Sequence, residues 1–250
     1  MPSEVISQVS GQTFEVNGVR FRTLLPDDLQ RQTTKDEVVI LKSPTFLQRY
    51  DAVMDSLPNA NVVEVGMAEA GSLIYFALAF PNLRFVGIDL RHPSEVVLSR
   101  IKELGLSDRI KLYYNTSQID QSKIKDILHQ NFAGEPLGAI IDDASHMYDL
   151  SRRTFEIFYP RLAPTGMYCL EDWGWAHEAG IAQNGQLWPN EKSLANLLFE
   201  ICLLQPSTRD MIREIRVTPA VAFVERGAEQ IDNLRFEDLL RLRGRKIIPV

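Results

Sequence analysis

Two short acidic stretches hold the side chains that could do chemistry. IIDDASHMYD, residues 140–149, sets Asp142 beside Asp143 and places His146 three positions further on; CLEDW, residues 169–173, sets Glu171 beside Asp172. Each pair ends an apolar run that reads as a strand. Adjacent strand residues point to opposite faces, so Asp142 and Asp143 have different tasks. Carboxylates that converge repel one another unless a cation neutralises them. Hard oxygen ligands favour Mg²⁺ or a similar divalent ion. Asp143, Glu171 and Asp172 are therefore the candidate metal ligands. An imidazole beside them can take a proton from a hydroxyl near neutral pH, which makes His146 the candidate base. The plainer reading is that one or two of the acids cap helices or pair with Arg152 or Arg153.

A third stretch, NVVEVGMAEAGS (residues 61–72), reads as strand, glycine turn and helix, with Glu64 inside the strand and Gly66 and Gly71 separated by four residues. Such a turn lets backbone N–H groups at a helix N-terminus approach a ligand. Alone it is also compatible with an ordinary strand–helix turn. Asp89 ends the next strand, 23 residues after Gly66, where an acid commonly binds ribose hydroxyls. The spacing is not G-x-G-x-x-G, since Met67 and Ala68 stand in the middle. A looser turn around an amino-acid moiety fits better than one that hugs a pyrophosphate.

The elements that must position these residues alternate. Strands at 61–65, 84–89, 109–114, 138–143 and 166–171 are each followed by a helix: 71–80, 94–104, 121–131, 149–162 and, after a long loop, 191–204. Several strands are almost wholly apolar, as in a parallel sheet covered on both faces. The fold class is α/β, a doubly wound sheet with ligands at the strands' C-terminal ends. REIRVTPAVAFVERG breaks the rhythm: two strands joined at Thr218-Pro219 are too close for a parallel crossover and must be antiparallel. A short helix, Phe236 to Leu242, follows. Before the sheet, QTFEV and VRFRTLL flank Asn17-Gly18, a strong hairpin signal. An approach strand then leads to a helix from Pro44 to Leu57, with Ser43 as N-cap. Residues 1–60 are thus read as a hairpin-and-helix extension, a cap or an oligomer contact, and 61–250 as the cofactor-binding domain.

The bulk numbers exclude some functions. With a net charge of −6 and 24% charged residues, and no basic cluster besides Arg241 to Lys246, a nucleic-acid substrate is disfavoured. The two cysteines, Cys169 and Cys202, lie in apolar runs and read as buried reduced thiols of a cytoplasmic protein. No run approaches the ~20 apolar residues of a membrane span, and Met1 to Ser10 lacks the regions of a signal peptide. The stripe Leu194 to Leu204 is apolar almost all round, a core or interface helix, so a homo-oligomer is compatible with the sequence.

VVEVGMAEAGS, VGIDL and GAIIDDASH, with the antiparallel final hairpin, resemble the class I S-adenosylmethionine-dependent methyltransferases over about Asn61 to Gly227. The resemblance implies S-adenosylmethionine as cofactor. Gly66 and its neighbours, Ala68 and Ser72 among them, would face its methionine part with Glu64 in support. Asp89 would hold the ribose, Ser117 and Gln118 would lie near the adenine, and Asp142 would face the cofactor. In that fold the fourth and fifth strands are adjacent, so their acids meet over the pocket. The set Asp143, His146, Glu171 and Asp172 is similar to that of the metal-dependent O-methyltransferases of natural-product pathways, the macrocin and mycinamicin type and their rhamnosyl and cephalosporin-pathway relatives. There, a D-x-x-H segment and a later E-D pair supply metal ligands and a base. The implied activity is Mg²⁺-dependent O-methylation of a small-molecule natural product, at a sugar or phenolic oxygen with a neighbouring oxygen. The N-terminal region is shorter than in the multidomain sugar enzymes, and Ala144 stands where glycine often occurs.

The long loop after Asp172 carries Trp173, Trp175 and Trp188, which either cover a substrate as a lid or pack the loop on the domain. His177 is a second candidate base, and Met147 and Tyr148 are candidate pocket residues. The alternatives are a metal-independent methyltransferase acting on nitrogen or an isolated hydroxyl, a non-catalytic scaffold with the cofactor fold, and a nicotinamide or nucleotide-sugar enzyme.

Overall fold

The computed structural model describes residues 6–24, 30–178, 192–242 and 245–246. Two sheets organise it. The first contains β1 (Ile6–Ser10), β2 (Thr13–Val16), β3 (Val19–Thr23) and β4 (Val38–Ile40), in that order. β2 and β3 form the expected hairpin, and Asn17 and Gly18 both take positive φ (49° and 77°), as a two-residue turn between twisted strands requires. β1, unforeseen in the sequence, adds antiparallel to β2, and β4 adds parallel to β3.

α1 (Pro44–Asp55) begins at the expected cap, where Ser43 Oγ accepts from the Phe46 N–H at 3.2 Å. The strand–helix series follows as β5 (Asn61–Val65), α2 (Gly71–Ala79), β6 (Arg84–Ile88), α3 (Glu95–Glu103), β7 (Ile110–Tyr113), α4 (Gln121–Phe132), β8 (Leu137–Asp142), α5 (Tyr148–Phe158), β9 (Leu162–Glu171) and α6 (Leu194–Ser207). β10 (Ile212–Val217) and β11 (Val221–Arg226) are antiparallel, and β11 lies antiparallel to β9. The second sheet runs β10-β11-β9-β8-β5-β6-β7, with β9, β8, β5, β6 and β7 mutually parallel. The order reverses between β5 and β8, so a crevice opens there at the strands' C-terminal ends.

Three boundaries differ from expectation. α5 stops at Phe158 and a 3-10 turn, Tyr159–Arg161, takes over where Pro160 supplies no helical donor. β9 consequently starts at Leu162. α7 covers only Phe236–Leu239; beyond it β12 (Arg241–Leu242) pairs with β13 (Arg245–Lys246), in place of the expected helix end.

Both faces of the large sheet are covered. On one, α1, α2 and the N-terminal sheet share a core in which Phe14 and Phe21 stack at 5.2 Å and meet Tyr75 edge-on. On the other, α4, α5, α6 and α7 pack over Val63, Ile140 and Tyr168. Gly71 permits the first contact, since a Cβ there would lie 2.1 Å from the Val39 carbonyl oxygen. Cys169 is buried as expected, whereas Cys202 is exposed: it faces outward from α6, as does Phe199, which is 64% exposed. No described helix is long and apolar enough to cross a membrane.

Candidate functional site

The acids at the ends of β8 and β9 meet, and a cation from the N-terminal extension lies among them. Lys42, two residues after β4, is buried. Its Nζ stands 2.7 Å from Asp143 Oδ2, 3.3 Å from Glu171 Oε1 and 3.3 Å from Glu64 Oε1. Tyr50 of α1 donates its hydroxyl to Glu171 Oε1 at 2.5 Å, and Ser72 at the start of α2 donates to Glu64 at 2.6 Å. Burial disfavours the Lys42 ammonium, but Asp143, Glu171 and Glu64 together raise its pKa well above the ordinary value. Burial raises Glu171 well above the usual carboxylate range, with Asp143 adding and Lys42 opposing. The expected repulsion is therefore real, and a protein cation relieves part of it. Sequence inspection missed Lys42 and Tyr50.

The second oxygen of Asp143 turns the other way. Asp143 Oδ1 and Asp172 Oδ2 each lie 3.9 Å from His146 Nε2. One ligand atom from each of Asp143, His146 and Asp172 falls within 4.8 Å of the others, close enough for the three to share a metal ion. Glu171 sits beside it, on the Lys42 side. His146 and Asp172 both adopt left-handed backbone, each with φ 54°, a conformation that side chains other than glycine seldom take. Burial holds His146 below its ordinary pKa; Asp143 opposes this and Lys42 adds to it. Burial and Asp143 push Asp172 up to about 8. The indole of Trp175 lies 4.5 Å from the His146 ring, between centroids, and walls the group on one side.

The glycine stretch forms the floor of a cavity of about 520 Å³ whose lining includes Lys42, Gly66, Ala68, Ser72, Arg91 and Asp143, a volume ordinary for a small-molecule site. Gly66 has φ 88°, and a Cβ there would lie 2.1 Å from the Asp143 carbonyl oxygen, so this glycine lets the β5 turn press against the β8 loop. Ala68 and Ala70 are left-handed as well. Asp89 stands behind the lining: its carboxylate accepts from the N–H groups of two lining residues, Ala68 at 2.9 Å and Arg91 at 2.8 Å.

Other candidates fall elsewhere. Asp142, expected to face the cofactor, turns into the opposite layer, where its Oδ2 accepts from Tyr168 at 2.6 Å; burial there pushes its pKa up to about 7. Gln118 is buried and donates to Thr154 at 2.9 Å, and Ser117 caps the turn that enters α4. Tyr148 donates to Glu200 at 2.7 Å and belongs to the α5–α6 contact, away from the cavity lining. Trp173 donates to the Thr218 carbonyl at 2.8 Å and packs on the β10–β11 turn. His177 stands 3.4 Å from Ser193, before α6. Trp188 lies outside the described residues. Arg152 and Arg153 pair with Glu200, Glu237 and Glu156, so the site acids do not spend themselves on these arginines.

No family model matches the chain. Mycinamicin VI 2''-O-methyltransferase of Micromonospora griseorubida is 28% identical over 163 residues, which cover 61% of this chain and 37% of that protein. MycE methyltransferase from the mycinamycin biosynthetic pathway, in complex with Mg and SAH, superposes with a TM-score of 0.55 and 26% identity over 76% of this chain and 52% of its own. The same enzyme with Mg, SAH and mycinamycin VI gives 0.54 and 26% over 73% and 48%. The chain thus spans about half the length of these structures, and less of the curated relative. In sequence and in fold it resembles the class I S-adenosylmethionine-dependent O-methyltransferases of the mycinamicin type.

Proposed function

We propose that the chain transfers a methyl group from S-adenosylmethionine to a hydroxyl of a small-molecule natural product that carries a second oxygen next to the first. The observation that carries this reading is the convergence of Asp143, His146 and Asp172, of which Asp143 also lines the cavity above the glycine turn. The donor set suits a hard divalent cation such as Mg²⁺; Asp143 and Asp172 would hold it, with Glu171 as the third carboxylate once drawn from Lys42. Bound there, the ion would supply positive charge that acidifies a nearby substrate hydroxyl. The chain's own residues do the rest. Glu64, Gly66, Ala68 and Ser72 line the methionine end of the cofactor site, and Asp89 takes the ribose. His146 Nε2, which lies between Asp143 and Asp172, accepts the hydroxyl proton. S-adenosylmethionine held there would supply its methyl group to the freed oxygen and leave as S-adenosylhomocysteine, with positioning supplying much of the rate.

Residues 1–60 act as an extension that closes the cavity over the domain of residues 61–250. The free thiols of Cys169 and Cys202 fit the reducing cytoplasm.

The test is methyl transfer to catechols and sugar diols with and without a chelator, on wild type and His146→Ala. Activity should vanish with the chelator and return with Mg²⁺. His146→Ala should lower turnover by about 10²–10⁴-fold while cofactor affinity, read by calorimetry, stays unchanged. Full turnover in the variant would remove His146 as the base; chelator-insensitive turnover would favour the metal-independent enzyme.

A further inference from the structure

The buried cation of this site comes from outside the strand ends. Lys42 arrives from the N-terminal extension, and its side chain is only 6% exposed. It contacts three carboxyl groups from three different elements, and two of them, Asp143 and Glu171, are those assigned above to a divalent ion. Asp143 is shared: Oδ2 faces the ammonium and Oδ1 faces His146. An ion that enters must therefore draw on carboxyl groups the lysine already holds.

We propose that Lys42 is the site's own cation: it holds Glu64, Asp143 and Glu171 together in the metal-free protein and competes with the divalent ion for Asp143 and Glu171. This inference rests on the cation binding proposed above. Lys42 is a positioning residue, since its ammonium orders the carboxylates and has no assigned contact with substrate. Two consequences follow. Ion affinity is held down by the lysine, because like charges repel strongly where solvent is excluded. The metal-free site is ordered before the ion arrives, because the carboxylates already have a partner.

The experiment is calorimetric titration of Mg²⁺ and Mn²⁺ into the whole chain with S-adenosylhomocysteine present. Wild type, Lys42→Met, the milder Lys42→Gln and the charge-retaining Lys42→Arg are compared, with thermal midpoints measured with and without ion. Neutral replacements should bind the ion on the order of tenfold more tightly, and their midpoints should rise on ion addition by more than that of wild type. Lys42→Arg should stay within about threefold of wild type. A purely structural lysine would lower the midpoint equally with and without ion and leave affinity unchanged. Unchanged or weaker affinity in the neutral variants, with wild type binding normally, overturns this inference alone. Absence of ion uptake by wild type overturns it together with the cation of the proposed function.

Discussion

Gly71→Ala sets two ordinary effects against each other at the joint between the extension and the cofactor loop. Gly71 opens α2 and is not among the glycines with positive φ. Helix propensity alone therefore favours alanine, by at most about 1 kcal/mol and less at a first turn. Packing opposes it. The new Cβ would lie 2.1 Å from the Val39 carbonyl oxygen and 2.9 Å from Ile40 Cα. These are backbone atoms of β4, so no side chain can swing aside, and β4 must move by roughly an ångström. Overpacking of this kind costs about 1–3 kcal/mol. The balance is a loss of about 1–2 kcal/mol, or about 2–8 °C in the thermal midpoint for a chain of this size. Because Lys42 follows β4 by two residues, the same shift should draw the ammonium away from Asp143 and weaken cofactor binding. Urea unfolding should show a lower midpoint with an unchanged slope, and calorimetry a weaker interaction with S-adenosylhomocysteine. A midpoint equal to or above that of wild type would refute the account of this joint, since propensity would then have won.

Tyr50→Phe should destabilise the chain by about 1.5–3 kcal/mol, because it deletes a hydrogen bond to the buried Glu171 carboxyl and leaves the ring in place between Phe76 and Phe223. A loss below about 0.5 kcal/mol in chemical denaturation would mean that Glu171 is satisfied without it. Glu37 ties the N-terminal sheet: burial alone would raise its pKa, but Arg22, Arg31 and Arg20 together bring it below the ordinary 4.5. A carboxyl lowered on folding contributes stability that is present above its unfolded value and is lost as pH falls through the folded one. Thermal midpoints of wild type and Glu37→Gln should therefore differ most near neutrality and converge as the pH falls below 4.5, and a gap that persists in acid would show that packing, not charge, is at work there.

What the sequence made legible was local. The strand–helix series, the Asn17-Gly18 turn and the Ser43 cap depend on neighbours a few residues apart, and each stands where the pattern put it. The acids were legible because each ends an apolar run, which fixes it at the C-terminal edge of a sheet. Lys42 was not, because its partners lie 22 and 101 residues away and no spacing rule links them. The alternation rule separated Asp142 from Asp143 correctly but not the surroundings of Asp142. β8 is buried on both faces, so the face opposite Asp143 holds Tyr168 and a helix layer.

The backbone carries a second signal that composition could not. Eight described residues other than glycine have positive φ, and four of them, Ala68, Ala70, His146 and Asp172, belong to the glycine turn or the acidic cluster. Asparagine, which tolerates this region, accounts for two of the others, Asn17 and Asn115. Aspartate and histidine tolerate it better than most residues and alanine gains nothing locally from it, and such a residue costs on the order of 1–3 kcal/mol unless its surroundings impose the conformation. Here they do. The Ala68 N–H is fixed by Asp89, the Ala70 N–H reaches the Met67 carbonyl at 2.6 Å, and the Asp172 N–H reaches the Ala220 carbonyl at 2.8 Å. Those bonds lie in or between the elements that frame the cavity. The strain is thus concentrated where a strand must end abruptly and turn its side chain across the crevice, and relaxing it at Asp172 or His146 would swing the carboxylate or the imidazole out of the cluster.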